Sequence, residues 1–204
     1  MKGKLIVFEG IDGCGKTTQN ILLQERFKFN NIDFVVCREP GGTSLGERIR
    51  GLLLDPETVA CPRSDALMYQ VARAQLVEEF LKPRIENGEL ILMDRFYHST
   101  IAYQGYGSGL DVGELKNVID FATNGLKPDL TLYFQIDPEV GARRRAKSRG
   151  EEDRIEARGL EYLTRVANGY NTLLETESDM VAVDVTKSVD EIHEEVYDLV
   201  SKLL

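Results

Sequence analysis

Gly10-Ile11-Asp12-Gly13-Cys14-Gly15-Lys16-Thr17, followed by Thr18, is a complete G-x-x-x-x-G-K-[ST] pattern. It stands directly after the apolar run Leu5-Ile-Val-Phe8 and opens a helical stretch, which is the strand, loop and helix context the pattern needs. Glycines let such a loop wrap so that backbone N–H groups converge on phosphate oxygens, and the following helix offers its positive N-terminus to the same anion. Lys16 would reach the outer phosphates, and the Thr17 hydroxyl would help to hold magnesium. Cys14 reads either as a small loop residue or as a thiol made oxidation-sensitive by the helix terminus.

Outward from this loop, short apolar runs at Leu5–Phe8, Phe34–Cys37, Leu90–Met93, Leu130–Phe134 and Val181–Val185 predict five strands. Helical spacing recurs between them: Leu67, Val71, Ala74, Val77, Leu81 and Ile85; Leu160, Leu163, Val166, Tyr170 and Leu173; Ile192, Val196, Leu199 and Leu203. Strands alternating with helices imply an α/β fold with a parallel sheet covered on both faces. Pro40-Gly41-Gly42, Pro56, Pro62, Gly105 to Gly109, Pro128 and Pro138 read as breaks between elements. With 204 residues and 42% hydrophobic content, one compact domain spanning 1–204 is expected.

The net charge of -9 disfavours a nucleic-acid partner, so an anionic ligand must meet local clusters of cations. Cys14, Cys37 and Cys61 are odd in number and lack metal or disulfide spacing, which fits reduced thiols in a cytoplasm. No apolar run approaches membrane-spanning length, and Met1-Lys2-Gly3-Lys4 leads into a strand, so neither a membrane partner nor a leader is expected.

A P-loop alone does not separate GTPases, motors, transport ATPases and kinases. The chain has no N-K-x-D motif and no length for a motor or transport module, which leaves a small-molecule kinase. Asp94 and Arg95 follow the third strand, at the edge where ligands gather in parallel sheets; Asp94 suits magnesium and Arg95 an acceptor phosphate. Arg38-Glu39-Pro40-Gly41-Gly42-Thr43 follows the second strand at the same edge, with Arg50 beyond it. Tyr69 and Arg73, four residues apart on one helix face, could stack on and hydrogen-bond a base, although that spacing also describes a core edge beside solvated surface.

Arg143 to Arg154 concentrates cations around Gly150 and suggests a closing lid over about 143–156, with Arg149 and Arg154 facing the transferring phosphoryl group. A phosphate monoester is already ionised near neutral pH and needs no base, so this set of arginines suits a phosphorylated acceptor better than a neutral nucleoside.

These stretches resemble the bacterial thymidylate kinases along nearly the whole chain: Phe8 to Thr18, Arg38 to Thr43, Asp94-Arg95, Ala102-Tyr103-Gln104-Gly105, Pro128 to Leu132 and Arg149 to Glu156. The resemblance implies a three-layer P-loop fold with a five-stranded parallel sheet, flanking helices and a short lid. It implies phosphorylation of dTMP to dTDP by ATP with Mg2+, within dTTP biosynthesis, commonly by a homodimer. It places Asp12 at the acceptor sugar, Tyr103 against a ribose 2'-hydroxyl, and Arg73, Thr100 and Gln104 around thymine. Arg38, Arg50 and Arg95 fall at the acceptor phosphate, Glu39 and Asp94 near the phosphates and metal, and Pro40 at a proline often cis.

Tyr69 replaces a usual phenylalanine on the base, Thr100 stands at a variable position, and Gly13 stands where some members carry a catalytic arginine. The charge is therefore expected from the lid, Arg149 first and Arg154 second. Another nucleotide or deoxynucleoside kinase, and a non-catalytic ATP-binding regulator, are the alternatives.

Overall fold

The structure, a computed structural model, describes residues 2–146 and 158–204. Five strands, β1 (Lys4–Glu9), β2 (Val35–Arg38), β3 (Leu90–Asp94), β4 (Leu130–Gln135) and β5 (Met180–Asp184), form one sheet in the order β2-β3-β1-β4-β5. Every pairing is parallel. The central strands are apolar and buried nearly end to end because helices cover both faces, whereas β2 and β5, at the edges, are only partly buried.

The helices are α1 (Lys16–Phe29), α2 (Ser44–Leu54), α3 (Pro62–Leu76), α4 (Lys82–Glu86), α5 (Tyr97–Thr100), α6 (Val112–Thr123), α7 (Pro138–Ala146), α8 (Gly159–Thr176) and α9 (Val189–Ser201). Two π-helical segments, Val77–Leu81 and Ile101–Gly107, continue α3 and α5. Helix α1 packs on β1, β3 and α9, while α8 packs on β4, β5 and the Ile101–Gly107 segment. No helix among the described residues is long and apolar enough to cross a membrane.

Two expectations need correction. Gly105 and Gly107 lie inside the second π-helical segment rather than in a break. Gly107 is needed there for packing: a Cβ on it would come within 2.7 Å of the Tyr162 ring on α8. The stripe Leu67 to Ile85 is not one buried face. Leu67 and Val71 are each 50% exposed, while Val77, Leu81 and Ile85 are buried. The π-helical turn between the two halves rotates the face by its wider winding. In α3 the buried positions belong instead to Asp65, Ala66, Gln70, Ala72, Arg73 and Leu76.

Strand β1 sits between β3 and β4, so consecutive strands leave it on opposite sides and a crevice opens at its carboxyl end. The phosphate loop, Asp94-Arg95 and the turn after β2 all emerge at that edge.

Candidate active site

A cavity of about 690 Å3 lies over the carboxyl ends of the strands. Its floor is the loop from β1 to α1, which the sequence bends through positive φ at Gly10, Gly13 and Gly15. Lys16 folds over the loop and donates from Nζ to the carbonyl oxygens of Gly10 (2.8 Å) and Ile11 (3.1 Å). Helices α2, α6 and α9 have their first turns capped by the side chains of Thr43, Asp111 and Ser188. Helix α1 begins at Gly15 with no side-chain cap, so its first amides are directed to whatever the loop holds. Gly13 has a steric reason: a Cβ there would stand 2.2 Å from the carbonyl oxygen of Gly141 in α7.

Asp94 ends β3, and its Oδ1 is buried without a hydrogen-bond partner among the described residues. Thr17 and Asp94 line the same cavity. One carboxylate and one hydroxyl fit Mg2+, which keeps several waters and takes few protein ligands. Among the described residues no group of three or more His, Cys, Asp and Glu side chains could hold a metal.

Arg95 follows with φ 67, a left-handed conformation rare outside glycine and characteristic of strained functional positions. The turn aims its guanidinium back at the loop: Nη2 donates to Asp12 Oδ1 (2.8 Å) and to the Tyr103 hydroxyl (3.3 Å). Burial opposes its charge, but Tyr103, Asp12, Tyr170 and Glu9 around it more than restore it, and its pKa is raised above the usual arginine value.

Glu39, expected among the acids near the metal, lines the cavity and is paired with Arg73. Arg73 Nε donates to both its carboxylate oxygens (2.9 and 3.1 Å), and Arg73 Nη2 donates to Oε2 as well. Both side chains are almost fully buried, and both line the cavity wall. Burial pushes the Glu39 carboxyl up and Arg73 opposes that shift. Arg73 Nη1 donates to Gln70 Oε1 (2.7 Å) and Thr100 Oγ1 (3.0 Å), which fixes the guanidinium plane against the cavity wall. The Glu39–Pro40 peptide is cis. Arg50 donates to the Pro40 carbonyl (2.9 Å), and Arg38 pairs with Glu47 (3.2 Å).

Asp12, Gly13, Cys14, Gly15, Lys16, Thr17, Thr18, Arg38, Glu39, Pro40, Arg50, Tyr69, Arg73, Asp94, Arg95, Thr100, Tyr103 and Gln104 all line the cavity. Gly10 and Ile11 do not, but their carbonyls hold Lys16. Arg149 and Arg154 lie outside the described residues. Cys14 is buried, and all three cysteines are free.

Sequence reading missed the other end of the cavity, where Arg144, Arg145, Val185, Lys187, Val189 and Ile192 converge. There Gln19 of α1 donates to the Val189 carbonyl (2.9 Å) and Arg144 to the Val185 carbonyl (3.4 Å). The signal was available for two groups of these: Arg144 and Arg145 belong to the basic run, and Val185 to Val189 follows β5 at the ligand-bearing edge. The cavity thus has a basic centre over the loop, a pocket beside β2 and β3 framed by Tyr69, Arg73 and Tyr103, and a second pocket beside β5.

A family model described as thymidylate kinase matches residues 8–196. A thymidylate kinase of Thermoanaerobacter sp. (strain X514) is 43% identical over 205 residues, covering 100% of both chains. One of Exiguobacterium sp. (strain ATCC BAA-1283 / AT1b) is 44% identical over 97% of this chain and 94% of its own. One of Legionella pneumophila (strain Paris) is 38% identical over 100% of this chain and 97% of its own.

Proposed function

This chain belongs to the thymidylate kinase family, and from that premise we propose how its residues move a phosphoryl group from ATP to dTMP. The products are dTDP and ADP. The loop amides and Lys16 hold the outer phosphates of ATP, with its base in the pocket beside β5. Thymine lies between Tyr69 and the Arg73, Thr100 and Gln104 side chains, and Tyr103 closes on the sugar where a 2'-hydroxyl would stand. Asp12, bonded to Arg95, faces the sugar from the loop. Arg95, with Arg50 and Arg38 behind it, takes the acceptor phosphate.

The attacking oxygen belongs to a phosphate already ionised near neutral pH, so no general base is needed. The physical task is to bring two anions into line with their charge neutralised. Mg2+ held by Asp94 and Thr17 would supply part of that neutralisation, and lid arginines, Arg149 foremost, the rest.

The observation that carries the metal assignment is the buried, unbonded Asp94 Oδ1 beside the phosphate loop. Its test is dTMP-dependent ADP release by Asp94→Asn across a Mg2+ titration. Turnover should fall by about 10²-fold or more and chelation of Mg2+ should abolish it in the native protein; full turnover with chelator, or an unimpaired variant, would reject the assignment.

The protein is further proposed to act in the cytoplasm, supported by its free cysteines, and as a homodimer. Helix α3 exposes Leu67 and Val71 while burying Asp65, Gln70 and Arg73, and neighbouring α6 exposes Phe121 to 87%. Apolar side chains left outward on adjoining helices favour a partner surface, and a second copy offers the same ones.

A further inference from the structure

Behind Arg95 lies a group that neither the loop motif nor the cavity lining includes. Glu9, the last residue of β1, is fully buried. Its Oε1 accepts the backbone N–H of Phe96 (2.8 Å) and of Ser99 (3.2 Å). Its Oε2 accepts the hydroxyls of Ser99 (2.6 Å) and Tyr170 (2.7 Å). Each hydroxyl has a single proton, and each is nearer to Glu9 Oε2 than to the other hydroxyl (2.9 Å), which assigns both protons to the carboxylate. The lone pairs that remain face Arg95, whose Nη1 donates to Ser99 Oγ (3.1 Å) and Tyr170 Oη (3.3 Å). Nη1 thus spans the two hydroxyls and Nη2 spans Asp12 and Tyr103, so the guanidinium is held at both ends and, among the described residues, Nε–H is left for a ligand.

The hydroxyls themselves cannot wander. Tyr170 is fully buried, stacked on Tyr133 at 5.0 Å and edge-on to Tyr103 at 6.3 Å. Burial, with Glu9 beside it, raises its pKa well above the ordinary phenol, so it keeps the proton it donates. Ser99 Oγ also lies 2.9 Å from Tyr170 Oη, where either could donate, but its shorter bond is to Glu9 (2.6 Å) and its backbone N–H is held by the same carboxylate.

We infer that Glu9 is a positioning residue for the transfer: by taking the protons of Ser99 and Tyr170 it turns both oxygens toward Arg95 and orients that guanidinium for the acceptor phosphate. The inference rests on the proposed role of Arg95. A glutamine in place of Glu9 would keep its carbonyl on the two backbone N–H groups and present its NH2 to the hydroxyls. They would then accept, and point their own protons at Arg95, so the polarity of the whole relay would reverse at constant shape.

The experiment is steady-state kinetics of Glu9→Gln, Tyr170→Phe, their double variant and Arg95→Ala, each with dTMP and ATP varied separately and with thermal melts alongside. Glu9→Gln should raise the KM for dTMP about tenfold or more and leave the KM for ATP within about twofold. Tyr170→Phe should raise the dTMP value by less, about threefold, and the double variant should be no worse than Glu9→Gln alone, because phenylalanine has no proton to misdirect.

A dTMP KM in Glu9→Gln within about twofold of native, or dTMP and ATP values rising together as the melt falls, would overturn the inference. Should Glu9→Gln fail to fold, Tyr170→Phe and Ser99→Ala make the same comparison, with the same selective rise for dTMP expected and its absence decisive. An unchanged dTMP KM in Arg95→Ala would instead remove the role of Arg95, and the inference with it.

Discussion

A methyl group on Gly13 would meet the Gly141 carbonyl at 2.2 Å, and φ 81 already disfavours any side chain there. An arginine at this point of the loop would collide with α7, and the proposed source of a cation for the transferring phosphoryl group is therefore the basic run that ends α7 and continues beyond it. Arg144 and Arg145 line the cavity from the end of that helix, and Arg149 follows them in sequence. Arg149→Ala should lower kcat by about 10³-fold, as removal of a transition-state arginine does, with the KM for dTMP nearly unchanged. Unchanged kcat with a raised KM would contradict that role.

At the residue scale the phosphate loop was legible because its chemistry is contiguous in sequence. Glu9, Ser99 and Tyr170 were not: the fold brings them together from 90 and 161 positions apart, and each looks alone like an ordinary strand end, turn or helix residue. Glu39 was legible as an acid at the right edge, but its pairing with Arg73, 34 positions away, was not.

Helix α3 is the element in which hydrophobic spacing misled. Periodicity reports where apolar residues recur, not which face is buried, and here Asp65, Gln70 and Arg73 are buried because partners satisfy them. Asp65 pairs with Arg158 at 3.1 Å, and Arg73 with Glu39, Gln70 and Thr100. Removing one member of the Arg73–Glu39 pair alone would strand a buried charge at about 3–5 kcal/mol. The displaced apolar residues are what the proposed dimer would cover. Val71→Glu should give a monomer by sedimentation with a melt close to native, since Val71 is half exposed in the single chain; an unaltered sedimentation coefficient would place the dimer elsewhere.

Across the whole molecule, five strands were read from sequence to within a residue or two of their ends, since each is a short apolar run bounded by polar or turn residues. Strand order was not, because order is set by which crossovers pass beneath β1 rather than by any local signal. That order puts the loop, the Asp94-Arg95 turn and the Arg38 turn on one rim. An acidic chain of net charge -9 thereby gathers Lys16, Arg38, Arg50, Arg95, Arg144 and Arg145 around one cavity. The field is concentrated where two phosphate groups must meet.

The most direct measurement is ADP release with ATP and Mg2+ on a panel of acceptors: dTMP, dUMP, AMP, CMP and thymidine. Saturable turnover on dTMP with the highest kcat/KM, and none on thymidine, is the predicted result, because the proposed role of Arg95 and its neighbours is to bind an acceptor phosphate. Turnover on thymidine but not on dTMP, or tight ATP binding with no acceptor-dependent release, would contradict it.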